Sequence, residues 1–271
     1  MSKGVLIFAF NNDSFDYLKM AAWSAKNIHR LLDLPVCVVT NTQDIPAEYE
    51  FDTVINADPH STNYRMFGDF GIDAKSDAWY NSNRVDAYAI SPYEQTLVLD
   101  ADYIVASDQL RSLFEIDCDF LCHRYAYDIT NRNTLDDHNY FGSHGMPMWW
   151  ATVMMFRRSK SAELIFDSMN MIRSHWYHYR TIYGNHRSTY RNDHALTIAL
   201  GMVNGHMLNH TFIPWGLATL LPGSQLTRLD QDQYRVEYRT VDQQPRYLTI
   251  GNQDLHVLGK FQLGAMIAND N

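Results

Sequence analysis

The sequence predicts an α/β fold built around a sheet that begins with parallel strands. Its first forty residues contain two short apolar runs, Val5 to Phe10 and Val36 to Thr40, separated by an amphipathic segment that reaches about Leu32. Apolar runs without alternation are typical of strands buried on both faces. A strand, a helix and a second strand in succession place the two strands parallel to each other.

The remaining elements follow from local patterns. The first helix can begin at Asp13 or Ser14, whose side chains can cap it, and Asp33-Leu34-Pro35 ends it. The later predicted elements are a strand from Phe51 to Ile55, a loop over 59–76, a helix from about Asp77 to Ile90, a strand from Thr96 to Leu99, strands from Ile116 to Cys122 and from Thr152 to Phe156, a helix from Ser159 to about Arg173, and a helix from Asn192 to Leu200. Weak alternation, as in Tyr234 to Tyr238, favours short antiparallel strands near the C-terminus.

Composition narrows the class of protein. The chain has 271 residues, of which 46% are hydrophobic and 20% charged, which excludes a mainly disordered chain. It contains no repeat or low-complexity linker, so we expect one domain over residues 1–271. The net charge of −9 argues against a protein that coats nucleic acid or anionic membrane. Three cysteines without motif spacing, and no apolar run near the ~18 residues of a membrane span, predict a soluble cytoplasmic protein.

A carboxylate pair follows a buried strand. Leu97 to Leu99 runs directly into Asp100-Ala101-Asp102, and the two acids point to the same side because side chains on a strand alternate. Ligands of open α/β sheets bind at the carboxyl ends of strands. Carboxylate oxygens suit Mg²⁺ or Mn²⁺, which in turn bind substrate phosphates. The alternative is that the pair only marks a solvated strand end.

The surroundings of this pair carry a family resemblance. Asn83 to Tyr88, then Ser91-Pro92, then Leu97 to Asp102 and Leu113-Phe114 resemble the core of retaining glycosyltransferases of the glycogenin and lipopolysaccharide galactosyltransferase type. The resemblance implies the GT-A fold, a single Rossmann-like nucleotide-sugar-binding domain with a mixed central sheet and helices on both faces. It implies a nucleotide-binding half over 1–125, and an acceptor half with a C-terminal closing segment over 126–271.

The resemblance also assigns roles to residues near the pair. Arg84 matches a basic residue that contacts the donor. Asp100 and Asp102 match the acids that hold Mn²⁺ on the UDP diphosphate, and Ala101 lies between them. The segment from Phe8 to Phe15 is similar to the first strand and nucleotide-binding loop of the family. Its candidate donor contacts are Phe8, Ala9, Asn11, Asn12 and Phe15.

A segment near the C-terminus resembles the part of these enzymes that closes over the diphosphate. Leu255-His256-Val257-Leu258-Gly259-Lys260 matches it, which makes His256 the third metal ligand and places Gly259 and Lys260 at the phosphates. The chemistry is consistent, because an imidazole completes a mixed oxygen and nitrogen site suited to Mn²⁺. A flexible ammonium offsets the charge of pyrophosphate.

The candidate catalytic residue is Asp193, which opens a predicted helix. In the family an Asp-Gln pair opens the matching helix and its carboxylate faces the donor sugar, so Asp193 matches and His194 replaces the glutamine. Trp150 to Ser159 is similar to the sugar-site strand, but Trp149-Trp150-Ala151 stands where Asn-x-Gly is usual, which points to an unusual donor sugar. The alternative role for Asp193 is to cap the helix and favour its dipole.

A basic and aromatic stretch lies between Asp167 and Asp193 and contains no acidic residue. Its candidate acceptor contacts are Arg173, Trp176, Arg180 and Arg187. Arginine and aromatic rings together suit an anionic partner that has flat faces. Three alternatives stay open: an amphipathic packing or dimer segment, a carbohydrate-acceptor cleft, and a nucleic-acid acceptor site.

The resemblance implies a glycosyltransferase that uses Mn²⁺ or Mg²⁺ and a nucleotide sugar, with UDP as the expected carrier and retention as the expected outcome. One alternative has a modified base in DNA as the acceptor, as in phage-type enzymes. Another is a non-catalytic nucleotide-sugar-binding protein. A nucleotidyltransferase is a third, although Asn11-Asn12-Asp13 is not the Gly-rich loop that such enzymes usually carry.

Overall fold

A computed structural model describes residues 2–59, 63–67, 75–80, 82–133, 135, 139–186, 188–207 and 210–270, without the side chains of 65–67 and 75. The strands are β1 (Lys3–Ala9), β2 (Val36–Thr40), β3 (Thr53–Asn56), β4 (Asn63–Phe67), β5 (Lys75–Trp79), β6 (Gln95–Asp100), β7 (Tyr103–Ile104), β8 (Phe120–His123), β9 (Ala126–Asp128), β10 (Tyr140–Phe141), β11 (Met146–Pro147), β12 (Trp150–Arg157), β13 (Leu217–Leu220), β14 (Gln225–Asp230), β15 (Gln233–Arg239), β16 (Pro245–Gly251) and β17 (Leu255–Val257). The helices are α1 (Tyr17–Leu32), α2 (Ala87–Ile90), α3 (Lys160–Ser174), α4 (Trp176–Ile182), α5 (Asn192–Val203) and α6 (Lys260–Asn269), with 3₁₀ turns at Ser82–Asp86 and Gln109–Glu115.

The central sheet has six strands in the order β3-β2-β1-β6-β12-β8. The first four are parallel to one another, whereas β12 runs antiparallel to both of its neighbours. Side chains of β1 alternate between two cores: Leu6 packs in the core that contains residues of α3 and α5, and Ile7 packs in the core that contains residues of α1. The predicted mixed sheet with helices on both faces is therefore confirmed.

The first helix begins two or three residues later than predicted. Asp16 is its N-cap, and its carboxylate accepts a hydrogen bond of 2.9 Å from the backbone N–H of Lys19. The residues immediately before the helix form a separate turn. In this turn the side-chain oxygen of Asn12 accepts hydrogen bonds from the N–H groups of Ser14 (3.0 Å) and Phe15 (2.8 Å). Because Asp13 and Ser14 lie within this turn, Asp16 caps the helix in their place.

The helix predicted from Asp77 to Ile90 is wrong over Asp77 to Trp79, which belong to a strand, and the loop predicted over 59–76 contains strand residues. Residues 75–79 form β5, which pairs antiparallel with β4, with Trp79 opposite Asn63. Among the described residues of this range, 82–90 are helical, as a 3₁₀ turn followed by the short α2. The backbone groups of β5 bond to a partner strand, which local propensity does not reveal.

A second sheet of four strands, β7-β17-β13-β9, lies beyond the carboxyl end of β6. In it β17 runs antiparallel to β7 and parallel to β13. The predicted C-terminal antiparallel strands are confirmed in β14, β15 and β16, which form a meander against which α6 packs. No helix among the described residues has both the length and the apolar character that a membrane crossing requires.

Candidate active site

A cleft of about 230 Å³ opens where β6 and β12 meet the second sheet. Its lining comes from segments that are far apart in the sequence, and it combines aromatic with charged side chains. The lining residues are Phe8, Phe10, Tyr17, Trp79, Tyr80, Arg84, Asp100, Ala101, Asp102, Asn133, Leu135, Trp150, Thr152, Arg191, Asn192, Asp193, Thr219, Leu221, His256, Leu258 and Lys260.

Backbone pairing brings His256 to the carboxylate pair. His256 lies opposite Tyr103 in the β7–β17 pair, and the N–H of Val257 donates to the carbonyl of Asp102 at 3.0 Å. The imidazole Nε2 of His256 then lies 3.7 Å from Oδ2 of Asp102 and 3.9 Å from Oδ2 of Asp100.

These three side chains fit a divalent metal ion. Asp100, Asp102 and His256 each offer one ligand atom, and the three atoms lie within 4.8 Å of one another. Asp102 and His256 are buried, at 6% and 5% exposure. Two carboxylate oxygens and one imidazole nitrogen form the mixed donor set that Mn²⁺ accepts.

Each carboxylate of the pair also has its own cation. The guanidinium of Arg84 contacts Asp100, and the ammonium of Lys260 contacts Asp102. Lys260 donates in addition to the carbonyl of Val257 at 3.2 Å. Burying a charge requires such partners, because an isolated charge away from water is strongly unfavourable.

Arg84 joins the carboxylate pair to the start of β12. It lies on the 3₁₀ turn before α2, and its Nη1 donates to the carbonyl of Ala151 at 2.9 Å. Burial lowers the pKa of Arg84 to about 10, against the opposing effects of Asp193 and Tyr190. The guanidinium is therefore still positively charged at neutral pH.

Asp193 contacts Ala151, the residue of β12 that also bonds to Arg84. It stands in the first turn of α5, and its Oδ1 accepts from the N–H of Ala151 at 2.9 Å, while Arg191 lies 3.3 Å from its Oδ2. Burial alone would raise the pKa of Asp193, but the charge of Arg191 and the hydrogen bond from Ala151 hold it below its usual range. The carboxylate is therefore ionised across the neutral range.

Of the predicted donor-loop residues, some line the cleft and others support the start of α1. Phe8 lines the cleft together with Phe10. The side-chain oxygen of Asn11 accepts from the N–H of Leu18 at 2.9 Å, so this amide, like that of Asn12, supports the start of α1.

Of three other predicted donor contacts, two are packed in the protein interior and one precedes a helix. Ala9 is fully buried in the sheet, and the ring of Phe15 packs on Phe261 with centroids 4.8 Å apart. Gly259 is the N-cap of α6. Nucleotide contacts by these residues stay a prediction.

The basic stretch packs largely against the protein itself. Arg173 donates to the carbonyl of Ser82 at 3.1 Å and lies 3.6 Å from Asp86. Arg180 donates to the carbonyl of Ser188 at 3.0 Å. Arg187 lies outside the described residues.

The tryptophan of this stretch is a core residue. Trp176 is 7% exposed, its indole N–H donates to the carbonyl of Ser188 at 3.1 Å, and its ring stacks on His194 at 6.0 Å. His194, which stands where the sequence resemblance expects a glutamine, thus packs beside a buried ring. These contacts favour packing over an exposed acceptor surface for this stretch.

Several residues of the cleft were not predicted. Trp79 and Tyr80 come from β5 and its end, Asn133 and Leu135 follow β9, and Thr219 lies on β13. These segments carry no motif, so the sequence offers no signal for them. Arg191 had one, since it stands two residues before Asp193.

Comparison with known proteins gives matches by structure alone. No protein-family model matches the chain, and no curated protein does. Three of the solved structures that match are glycosyltransferases. The galactosyltransferase LgtC has 13% identity and a TM-score of 0.48 over 73% of this chain and 70% of its own.

Two further matches have similar identity. GlyE of Streptococcus pneumoniae has 16% identity and a TM-score of 0.42 over 79% of this chain, which spans 46% of the GlyE chain. Mouse xyloside xylosyltransferase 1 has 13% identity and a TM-score of 0.42 over 79% of this chain and 84% of its own.

Proposed function

We propose that this chain is a metal-dependent glycosyltransferase that moves a sugar, with retention, from a nucleoside diphosphate donor to an acceptor hydroxyl. One observation carries the proposal. Three ligand atoms, from Asp100, Asp102 and His256, lie within 4.8 Å of one another in a cleft where Arg84 and Lys260 contact the two carboxylates.

Asp100, Asp102 and His256 would hold the metal ion, Mn²⁺ or Mg²⁺. When bound, such an ion supplies positive charge to the oxygens of a diphosphate leaving group. The same chain provides two organic cations beside it, Arg84 and Lys260. A site with this composition suits an anion that carries more than one charge.

The charges of the cleft support a nucleoside diphosphate. Its lining contains three carboxylates, from Asp100, Asp102 and Asp193, and three cations, from Arg84, Arg191 and Lys260. Asp100 and Asp102 are offset by Arg84 and Lys260, and Asp193 is offset separately by Arg191. A divalent metal ion at the acidic pair would therefore leave an excess of two positive charges there. A diphosphate diester balances this excess, and UDP is the carrier that the sequence resemblance suggests.

The chemistry breaks one bond and forms another. The bond between the anomeric carbon and the diphosphate oxygen breaks, and its electron pair leaves with the nucleoside diphosphate. The acceptor oxygen bonds to the same carbon, and its hydroxyl proton passes to the departing diphosphate. Arg84 and Lys260 stabilise the charge that collects on the leaving group. Asp193, ionised and held by Ala151, stabilises positive charge at the sugar carbon.

A screen of donor hydrolysis tests the proposal. The purified protein is incubated with Mn²⁺ and a panel of nucleoside diphosphate sugars, and release of the free nucleoside diphosphate is measured. We expect turnover of one donor, and a loss of at least about 100-fold in Asp102→Ala. Asp44→Ala, at an exposed position outside the cleft lining, serves as the matched control.

The same screen separates the enzyme from a sugar-binding protein on the same fold. Binding of a donor without release of nucleoside diphosphate, with and without an acceptor panel, would refute the transferase. Full activity in Asp102→Ala would refute the role of the acidic pair.

A further inference from the structure

Arg191 lies in the cleft although no motif marks it. Its backbone is extended, with φ −139° and ψ 142°, immediately before α5, and its side chain is one-third exposed. This conformation places the guanidinium beside the first turn of the helix, where Asp193 stands. Nη2 of Arg191 lies 3.3 Å from Oδ2 of Asp193.

The two oxygens of Asp193 are therefore held from two directions. Oδ1 accepts from the N–H of Ala151 at 2.9 Å, and Oδ2 faces Arg191. A carboxylate held through both oxygens cannot rotate about its last bond without losing one of the contacts. The orientation of Asp193 is fixed by one rigid strand and one side chain.

Ala151 also connects Asp193 to the residues at the proposed diphosphate end of the cleft. Ala151 donates to Asp193 through its N–H and accepts from Arg84 through its carbonyl at 2.9 Å, and Arg84 contacts Asp100. Charges alternate along this row from Asp100 to Arg191. Arg191 is its last member and the one whose removal leaves the diphosphate contacts intact.

We propose that Arg191 is a positioning residue for sugar transfer, which acts by holding the carboxylate of Asp193 toward the sugar carbon. This inference rests on the proposed function. It separates the contributions of the cleft: Arg84 and Lys260 act on the leaving group, and Arg191 acts only through Asp193. Loss of Arg191 therefore slows turnover and leaves binding of the nucleoside diphosphate unchanged.

Arginine suits this role better than lysine. Its planar guanidinium presents several N–H donors in a fixed arrangement, whereas an ammonium is a flexible point charge. Arg191→Lys keeps the charge and loses the fixed geometry, so we expect a rate between those of the wild type and Arg191→Ala. Added guanidinium ion can enter the space left in Arg191→Ala and restore part of the rate.

The experiment measures kcat and KM for donor hydrolysis in wild type, Arg191→Ala, Arg191→Lys and the surface control Arg239→Ala. We expect kcat to fall on the order of 100-fold in Arg191→Ala, with KM within about threefold of wild type. Guanidinium chloride at millimolar concentration should restore activity about tenfold, while urea should not. UDP affinity by calorimetry should be unchanged.

A double-mutant cycle tests that Arg191 acts through Asp193. In the Asp193→Ala background, removal of Arg191 should change kcat by less than about twofold. A kcat in Arg191→Ala within threefold of wild type, additive losses in the cycle, or a matching loss of UDP affinity would overturn the inference while leaving the proposed function in place. A wild-type protein that turns over no donor would overturn both.

Discussion

The Nε2 atom of His256 lies 3.7 Å from Oδ2 of Asp102, because β17 pairs antiparallel with β7 immediately after the acidic pair. The contact is a consequence of backbone hydrogen bonding between two short strands. Asp100 and His256 thus lie on strands of two sheets, and Asp102 lies in the turn between β6 and β7, where its carbonyl accepts a hydrogen bond from Val257 on β17.

Removing a candidate ligand should weaken metal binding. Asp102→Asn keeps the size of the side chain and removes its charge, and His256→Ala removes the nitrogen donor. We expect the Kd for Mn²⁺, measured by electron paramagnetic resonance, to rise about 10- to 100-fold in each variant. Asp44→Asn should match the wild type. Wild-type affinity in both cleft variants would exclude this metal site.

Substitution of Lys260 should have opposite effects on two ligands. Its ammonium contacts Asp102 and competes with a metal ion for that carboxylate. In Lys260→Gln, Mn²⁺ alone should bind more tightly, while UDP in the presence of Mn²⁺ should bind more weakly. Lys26→Gln, at an exposed position on α1, is the matched control. A change of the same sign for both ligands would contradict the role of Lys260.

Trp176 and Tyr177 should differ sharply in their contributions to stability. Trp176 is buried against Tyr190 and His194, whereas Tyr177 is 75% exposed. Trp176→Ala should lower the free energy of unfolding by about 3 to 5 kcal/mol, measured by chemical denaturation. Tyr177→Ala should cost about 1 kcal/mol or less, since it loses a contact with Arg180 at the surface. Equal effects would refute a core role for this stretch.

A buried histidine and a half-buried histidine should make the fold sensitive to acid. Burial lowers the pKa of His123 to about 4, against a hydrogen bond with the carbonyl of Trp215, and burial lowers the pKa of His210 to about 4. A histidine in the unfolded chain titrates near 6.5. The unfolded chain therefore binds protons first as the pH falls below about 6.5, and stability declines toward pH 4.

The variant His210→Phe isolates this effect. The ring packs edge-on against Trp149 with centroids 5.3 Å apart, and phenylalanine preserves that contact. The slope of the free energy of unfolding against pH, between about pH 6 and 4.5, should decrease by an amount that corresponds to about one bound proton. An unchanged slope would show that His210 already titrates in the folded protein.

The fold was predictable where hydrophobic patterns are local. The runs at Val5 and Val36 gave β1 and β2, and the apolar stretch before Asp100 gave β6. The prediction failed over 75–79, because β5 depends on a partner strand, β4, and the periodicity of one segment cannot show that pairing. The capping residue of α1 was missed for a similar reason, since Asn12 forms the preceding turn.

The candidate site was predictable only in part. Asp100 and Asp102 were predicted because two acids follow a buried strand. His256 and Lys260 were predicted from the resemblance of the segment that contains them to the segment that closes over the diphosphate in related enzymes. Arg191 stands two residues before Asp193, but only the fold shows that its guanidinium faces that carboxylate. The burial of Trp176 was not predictable, because the sequence pattern of an aromatic residue among arginines is the same whether that residue lies in a core or on a surface.

Calorimetric titration of UDP into the wild-type protein, with and without Mn²⁺, tests the central claim most directly. If Asp100, Asp102 and His256 hold a metal ion on a nucleoside diphosphate, the affinity for UDP should rise at least about tenfold with Mn²⁺, and the rise should vanish in Asp102→Asn. UDP binding that is absent in both conditions, or independent of Mn²⁺, would contradict the account.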